Sequence, residues 1–324
     1  MSIQESVKEV KAASVVLAAV ETERKNSALR AIQEALLERK QEIIKANNKD
    51  LERSEKEKLD PPLLKRLKFQ EDKIQGVVDG IESLIQLKDP VGETLQSTAI
   101  DEDLELYKVS CPIGVIGVIF ESRPDALVQI STLCLKSGNG VLLKGGSEAK
   151  ETNRILFEII RQAAEQAEIP KGWIQLMETR DDVNVMLKMD DDIDLIIPRG
   201  SNDFVKYIMD HSNIPVLGHA DGICHLYIDG EAEVEMALSI AVDSKTQYVS
   251  VCNATETLLI DRKIAKELLP SLRDRLKEKD VTIVGDEEVA AVIDVDEKAG
   301  EQDWKTEYLD YKIAIKTVDG LEEA

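Results

Sequence analysis

An almost unbroken apolar run, Ile113-Gly-Val-Ile-Gly-Val-Ile-Phe120, constrains this chain more than any other segment. A strand with one wet face alternates apolar and polar residues. A run with no polar position needs cover on both faces, which is the habit of parallel sheets with helical crossovers. The sequence that follows supplies those crossovers. Ala126 to Lys136 reads as helix, Gly138-Asn139-Gly140 breaks it, and Val141 to Leu143 is a second short apolar strand. Ser147 to Ala167 reads as helix, Trp173 to Met177 as a third strand, Val183 to Lys188 as helix, and Asp194 to Ile197 as a fourth strand. Asn202 to His211 continues as helix and Cys224 to Ile228 as strand. This alternation predicts an α/β fold with a doubly wound parallel sheet. Right-handed crossovers put the loops after Ile119, Leu143 and Ile197 on one sheet edge, where open sheets bind ligands.

The flanks read differently. Residues 5 to about 60 are helical by period: Val7, Val10, Ala13, Val16, Leu17 and Val20 recur at helical spacing, as do Leu29, Ile32, Leu36, Leu37 and Ile44. Pro61 and Pro62 open a third helix. The Lys/Glu-rich stretch from Glu38 to Lys58 reads as a solvated helix face. After Asp89, Leu104 and Leu106 alternate with Asp103 and Glu105, which marks an exposed strand whose apolar phase shifts near Leu106. Beyond residues 225–230, Val234 to Val242 is an apolar helix, Asp243 to Val251 a loop, and Thr257 to Ile260 a strand. A length of 324 residues suggests two domains, divided here as 1–228 and 229–324.

Charge and cysteine usage exclude several classes of partner. The chain has 41 Lys+Arg against 63 Asp+Glu, a net charge of −22. Nucleic acid and anionic membranes need local positive charge, so neither is expected as a partner. A small anionic substrate is compatible, because a pocket can differ from the net field. No run of 18 apolar residues occurs, and Met1 to Lys11 carries Glu5, Lys8 and Glu9 with no apolar stretch behind a basic start. Neither a membrane span nor a signal peptide is expected. Cys111, Cys134, Cys224 and Cys252 are irregularly spaced, and the histidines are only His211, His219 and His225. No metal site or disulfide framework is predicted, and a reducing, cytoplasmic setting fits.

Three segments are candidates for chemistry. Lys144-Gly145-Gly146-Ser147-Glu148 joins a buried strand to a helix. Its glycines permit close backbone approach, and the helix start favours an anion, although an ordinary strand-to-helix turn explains it equally. Arg199-Gly200-Ser201-Asn202 repeats the arrangement, with a capped helix start as the plain alternative. Two such turns on one sheet edge favour a dinucleotide site over either alone. Cys252, followed by Asn253, lies in a loop after a helix. A catalytic thiolate needs exposure and an oxyanion donor nearby; the alternative is a small buried hydrophobe. Cys111, Cys134 and Cys224 read as packing residues.

The segments Pro112-Ile-Gly-Val-Ile-Gly-Val-Ile-Phe-Glu-Ser-Arg-Pro124, Lys136-Ser-Gly-Asn139, Leu143-Lys-Gly-Gly146, Ile197-Pro-Arg-Gly-Ser201, Pro215-Val-Leu-Gly-His-Ala-Asp-Gly-Ile-Cys-His225 and Cys252-Asn-Ala-Thr-Glu-Thr-Leu258 together resemble the gamma-glutamyl phosphate reductase family, within the aldehyde dehydrogenase superfamily. The resemblance runs in order from about residue 5 to the end. It implies an aldehyde dehydrogenase-like fold: a Rossmann-type cofactor domain, an α/β catalytic domain, and a β-hairpin oligomerisation arm at about 93–112. It implies NADPH-dependent reduction of L-glutamyl 5-phosphate to glutamate 5-semialdehyde and phosphate, a step of proline biosynthesis. Cys252 is then the nucleophile that forms a thioester, and Asn253 an oxyanion donor. Lys144, Gly145, Gly146, Ser147 and Glu148 would hold the adenosine ribose region, and Gly200 and Ser201 the pyrophosphate or nicotinamide end. Ser122 and Arg123 would approach the substrate, with Arg123 anchoring a carboxylate or phosphate. A homo-oligomer is expected, with glutamate 5-kinase as a further possible partner and no metal.

Hydrolytic aldehyde dehydrogenases carry a water-activating Glu where this chain has Val216-Leu217-Gly218-His219. Its absence suits an enzyme that exchanges a thioester with phosphate. Tyr248-Val249-Ser250 departs from the family's Tyr-Pro-Ala and loosens one backbone torsion before the nucleophile. Family chains continue past Ala324 with a further helix, a His-bearing segment and a strand that pairs across subunits. The expectation is therefore a C-terminally incomplete chain with weak or no turnover by itself. Two alternatives stand beside the reductase: a CoA-acylating aldehyde dehydrogenase, and a catalytically silent form that binds nucleotide or partners.

Overall fold

The computed structural model describes residues 2–121, 123–200, 202–218 and 222–324. Residue contacts divide it into two compact units, 1–219 and 220–324. No helix among the described residues is long and apolar enough to cross a membrane.

The first unit opens with helices α1 Ile3–Leu17, α2 Thr22–Glu38, α3 Lys40–Lys56, α4 Pro61–Leu67 and α5 Glu71–Gln86. A capping box starts α1: Glu5 N donates to Ser2 Oγ (3.3 Å), and Ser2 N donates to the Glu5 carboxylate (2.7 Å). The helical period predicted two helices before the one opened by Pro61 and Pro62, but the chain breaks twice in this stretch and makes three, so Pro61 opens the fourth. At the second break Arg39 leaves helical torsions (φ −99°, ψ 18°). Its guanidinium donates to Glu42 (2.8 Å) and to Gln162 (3.3 Å). One of these contacts comes from a helix more than a hundred residues away, and no local breaker marks the break.

Strands β1 Thr94–Asp101 and β2 Leu104–Val109 form an antiparallel hairpin. Its register runs unbroken through Leu106, contrary to the expected phase shift; the irregularities lie at Thr94/Gln96 and Ala99/Asp101. Every hairpin residue is exposed, so no buried face imposes an apolar phase.

Strands β3 Val115–Ile119, β4 Gly140–Lys144, β5 Ile174–Met177 and β6 Leu195–Pro198 make a parallel sheet of order β5-β4-β3-β6. Helices α6 Pro124–Lys136, α7 Lys150–Gln166, α8 Arg180–Met186 and α9 Asn202–His211 connect and cover it. Successive residues of the buried strands serve opposite faces. Ile116, Val118, Val141 and Leu143 pack in a core shared with α2, α5, α6 and α7. Val115, Ile119, Leu142 and Ile196 pack in a second core with α1, α8 and α9. The apolar run is continuous because both cores draw on it. Ile113 lies before the strand and is exposed.

The second unit contains β7 Cys224–Ile228, α10 Val234–Thr246, β8 Thr255–Asp261, α11 Arg262–Lys277, β9 Thr282–Gly285, α12 Glu287–Ala290, β10 Glu297–Lys298 and β11 Lys312–Val318. Its strands run parallel in the order β10-β9-β11-β8-β7. Sequence alternation grouped Cys224–Ile228 with the first sheet. The strand instead pairs with β8, because α9 returns to Ile214 and Val216 on the first sheet and leaves β7 free to start the second. All seven residues of β8 are buried, and Leu258 and Ile260 join α10 and α11 in one core.

Candidate active site

In the first unit three loops leave the C-terminal edge of the sheet side by side. Ile119 pairs with Lys144 on one side and Pro198 on the other. Phe120 N donates to Lys144 O (2.9 Å) and Arg199 N donates to Ile119 O (2.7 Å), which locks the roots of the loops together. The strand order reverses at β3, so this edge is the crevice where open sheets take ligands.

The turn after β4 is built by its own side chains as much as for a ligand. Lys144 Nζ donates to Gly145 O (2.6 Å). A Cβ on Gly145 would run into the Asn153 amide and stand 3.4 Å from the Phe120 ring; one on Gly146 would run into the Glu148 carboxylate. Packing against buried Asn153 therefore requires Gly145, whereas the flexible Glu148 carboxylate could move aside at Gly146. Ser147 is exposed and Glu148 half-buried. Asn153 is buried, and its Oδ1 has no hydrogen-bond partner among the described residues.

The anion expected at the following helix start is part of the chain itself. Asp50 of α3 is fully buried and accepts from Thr152 N (2.8 Å), Thr152 Oγ1 (2.7 Å) and Glu151 N (3.2 Å) in the first turn of α7. Arg53 donates to Asp50 (2.7 Å) and to the carbonyls of Ser147 and Glu148 (2.9 Å each). The stretch read as a solvated face thus hides a buried stripe, Ile43, Asn47, Asp50 and Ser54, at helical spacing. Polar members disguised it.

Gly200 follows β6; a Cβ there would lie 3.1 Å from the Phe204 ring and 3.5 Å from Glu121 Oε1. The Arg123 side chain is 62% exposed and stands 3.9 Å from Asp125, so its guanidinium faces solvent at this edge. Ser122 and Ser201 lie outside the described residues.

In the second unit Cys252 sits in the loop between α10 and β8. It and Asn253 are exposed, whereas every residue from Ala254 to Asp261 is buried. An exposed Cys-Asn pair therefore stands at the mouth of a buried strand. Ala254 N donates to Val251 O (3.1 Å), closing a tight turn around the pair. Val249, where the family pattern has Pro, is buried. Gly222 lies against the Cys252 backbone. A Cβ there would overlap the Cys252 carbonyl and lie 2.8 Å from the Cys252 Cβ. Cys224 N donates to Gly222 O (3.0 Å), and the Cys224 thiol donates to Cys252 O (3.3 Å). Cys224, read from sequence as a packing residue, and Gly222, quoted in a motif without a role, thus support the loop.

The other cysteines separate by burial. Cys134 is buried among apolar residues, which pushes its thiol up to about 12. Cys111 was expected to pack but is exposed, because β2 ends at the hairpin root and nothing covers it. Among the described residues no group of His, Cys, Asp or Glu converges as metal ligands.

Comparison with known proteins gives one consistent family. The model of the aldehyde dehydrogenase family matches residues 1–305. The gamma-glutamyl phosphate reductase of Acetivibrio thermocellus is 66% identical over 324 residues, which is all of this chain and 75% of that one. That of Pelotomaculum thermopropionicum is 63% identical over the same span, 74% of its length. The crystal structure of gamma-glutamyl phosphate reductase from Thermotoga maritima superposes with a TM-score of 0.94 at 38% identity, covering all of this chain and 78% of that one. An acetylating aldehyde dehydrogenase from Geobacillus thermoglucosidasius superposes with a TM-score of 0.65 at 18% identity, covering 99% of this chain and 76% of that one, a likeness of fold alone.

Proposed function

The chain belongs to the aldehyde dehydrogenase family and, within it, to the gamma-glutamyl phosphate reductases, and from that membership we propose that Cys252 is the nucleophile of its reaction. The reaction is reduction of L-glutamyl 5-phosphate to glutamate 5-semialdehyde and phosphate, in proline biosynthesis. The Cys252 thiolate attacks the acyl carbon, the bond to phosphate breaks, and a thioester forms on the cysteine. The Asn253 amide and the neighbouring loop amides hold the oxyanion of the tetrahedral intermediate. When bound, reduced nicotinamide supplies the hydride that takes the thioester to the aldehyde, and NADPH is the proposed form. Cys252 leaves as thiolate.

The single observation that carries this reading is the exposure of Cys252 and Asn253 on a loop braced by Gly222 and Cys224. For the dinucleotide, Lys144 and Glu148 are proposed to hold ribose hydroxyls, beside Gly145, Gly146 and Ser147. The turn fits such a group. It ends on two residues without side chains, and Asn153 Oδ1 beside it is an acceptor that no described residue satisfies. Gly200 and Ser201 are proposed for the pyrophosphate or nicotinamide end, and Ser122 and Arg123 for the substrate. The segment Val216-Leu217-Gly218-His219 has no carboxylate to activate water, which protects the thioester for exchange with phosphate.

The test is the reverse reaction. Pyrroline-5-carboxylate, inorganic phosphate and NADP⁺ are mixed with mass-verified protein, and reduced nicotinamide is followed by absorbance. A weak phosphate-dependent signal is expected, with NADP⁺ used better than NAD⁺. Cys252→Ala should lower it by at least about 10³-fold, and Asn253→Ala by about 10²-fold. Full turnover by Cys252→Ala would overturn the assignment of the nucleophile. Signal with CoA in place of phosphate would turn the reading to an acylating dehydrogenase.

A further inference from the structure

Lys245 lies in the last turn of α10 and Glu256 is the second residue of β8, so the two flank the loop that bears Cys252. Lys245 Nζ donates to Glu256 Oε2 at 2.7 Å, and both side chains are completely buried. The other Glu256 oxygen accepts from Leu309 N (3.2 Å), a residue held at φ 52° just before β11. One buried contact therefore ties the end of α10, the start of β8 and the approach to β11. Such a pair is a weak source of stability, because desolvating both charges opposes their attraction, and apolar replacements of similar volume often fold as well or better. What a buried pair supplies in some proteins is registration, because few arrangements satisfy both charges.

We propose that Lys245 and Glu256 are positioning residues, a clamp that fixes the ends of the 247–254 loop and so the pose of Cys252. The proposal rests on the reading of Cys252 as the nucleophile. Neither side chain reaches solvent, so both act through the loop backbone.

The full chain is compared with Lys245→Met/Glu256→Leu, which removes both charges, and with Glu256→Gln, which keeps the shape but not the charge. Three quantities are read: thermal melting, hydrogen exchange by mass spectrometry, and the reverse reaction with kcat and KM separated. The expected result is a folded double variant whose 247–254 amides exchange at least tenfold faster. Exchange in β8, β11 and α11 should be unchanged, and kcat should fall at least tenfold at unchanged KM for pyrroline-5-carboxylate. A folded variant with parental exchange in the loop and parental kcat overturns the clamp. Loss of folding in both variants, or faster exchange across the whole sheet, assigns the pair to fold stability and overturns it too. Failure of the nucleophile reading is seen separately, as turnover surviving in Cys252→Ala, and leaves the exchange measurement valid.

Discussion

Four thiols of one chemical type occupy three environments, and burial sets how far each is open to a reagent. Cys134 packs in the first core, where burial disfavours the thiolate and pushes the pKa up to about 12. Cys111 and Cys252 are exposed, and Cys224 is half-buried with its thiol directed at Cys252 O. Brief treatment of native protein with iodoacetamide at pH 8 should label Cys111 and Cys252 and leave Cys134 unmodified. Peptide mass spectrometry reads the outcome, and labelling of Cys134 at the rate of Cys252 would contradict the packing described. Sequence could mark Cys252 by its company, Asn253 and a family motif. It had no means to mark Gly222, because a glycine's value at close approach depends on what lies opposite. Here that is the backbone of a residue thirty positions later.

At the scale of elements, the joints are made by buried charge. Asp50 caps α7 from α3 and holds Arg53 against the turn of the proposed ribose site. Asp50→Ala leaves buried donors unsatisfied and should cost about 3 kcal/mol in urea unfolding. The effect on KM for the dinucleotide should exceed that on kcat. Asp89 makes a second joint, between α2 and the segment before the hairpin. It accepts from Lys25 (2.5 Å), Thr22 (2.7 Å) and Val91 N (3.0 Å). Burial raises its carboxyl, but the bonds from Lys25, Val91 and Thr22 outweigh burial, and the pKa lies below the ordinary aspartate value. A carboxyl whose folded pKa is depressed contributes stability above its unfolded pKa and loses it as pH falls through the folded one. The stability gap between parent and Asp89→Asn should therefore be full at pH 6 and close as pH falls below about 4. Urea midpoints across that range measure it, and a gap that widened in acid would refute the sign.

At the scale of the whole molecule, a chain of net charge −22 is proposed to act on anions. The mean field repels both glutamyl phosphate and inorganic phosphate, and salt screens it. The Debye length falls from about 30 Å at 0.01 M to about 8 Å at 0.15 M. KM for phosphate in the reverse reaction should fall as NaCl rises over that range; a rise instead would place local positive charge in command of binding. The broad plan was legible from local pattern. Apolar runs announce strands covered on both faces, and β3 and β4 lie where such runs stand. The motif turns announced which loops to inspect. Tertiary structure alone decided the break at Arg39, the sheet that takes β7, the buried stripe of α3, and the pairing of Lys245 with Glu256. For the stripe and the buried pair the physical reason is the same. Periodicity reports whether one position is wet or dry. A polar residue is tolerated in a dry place only when a distant partner satisfies it, and that partner's identity is not written near it in the chain.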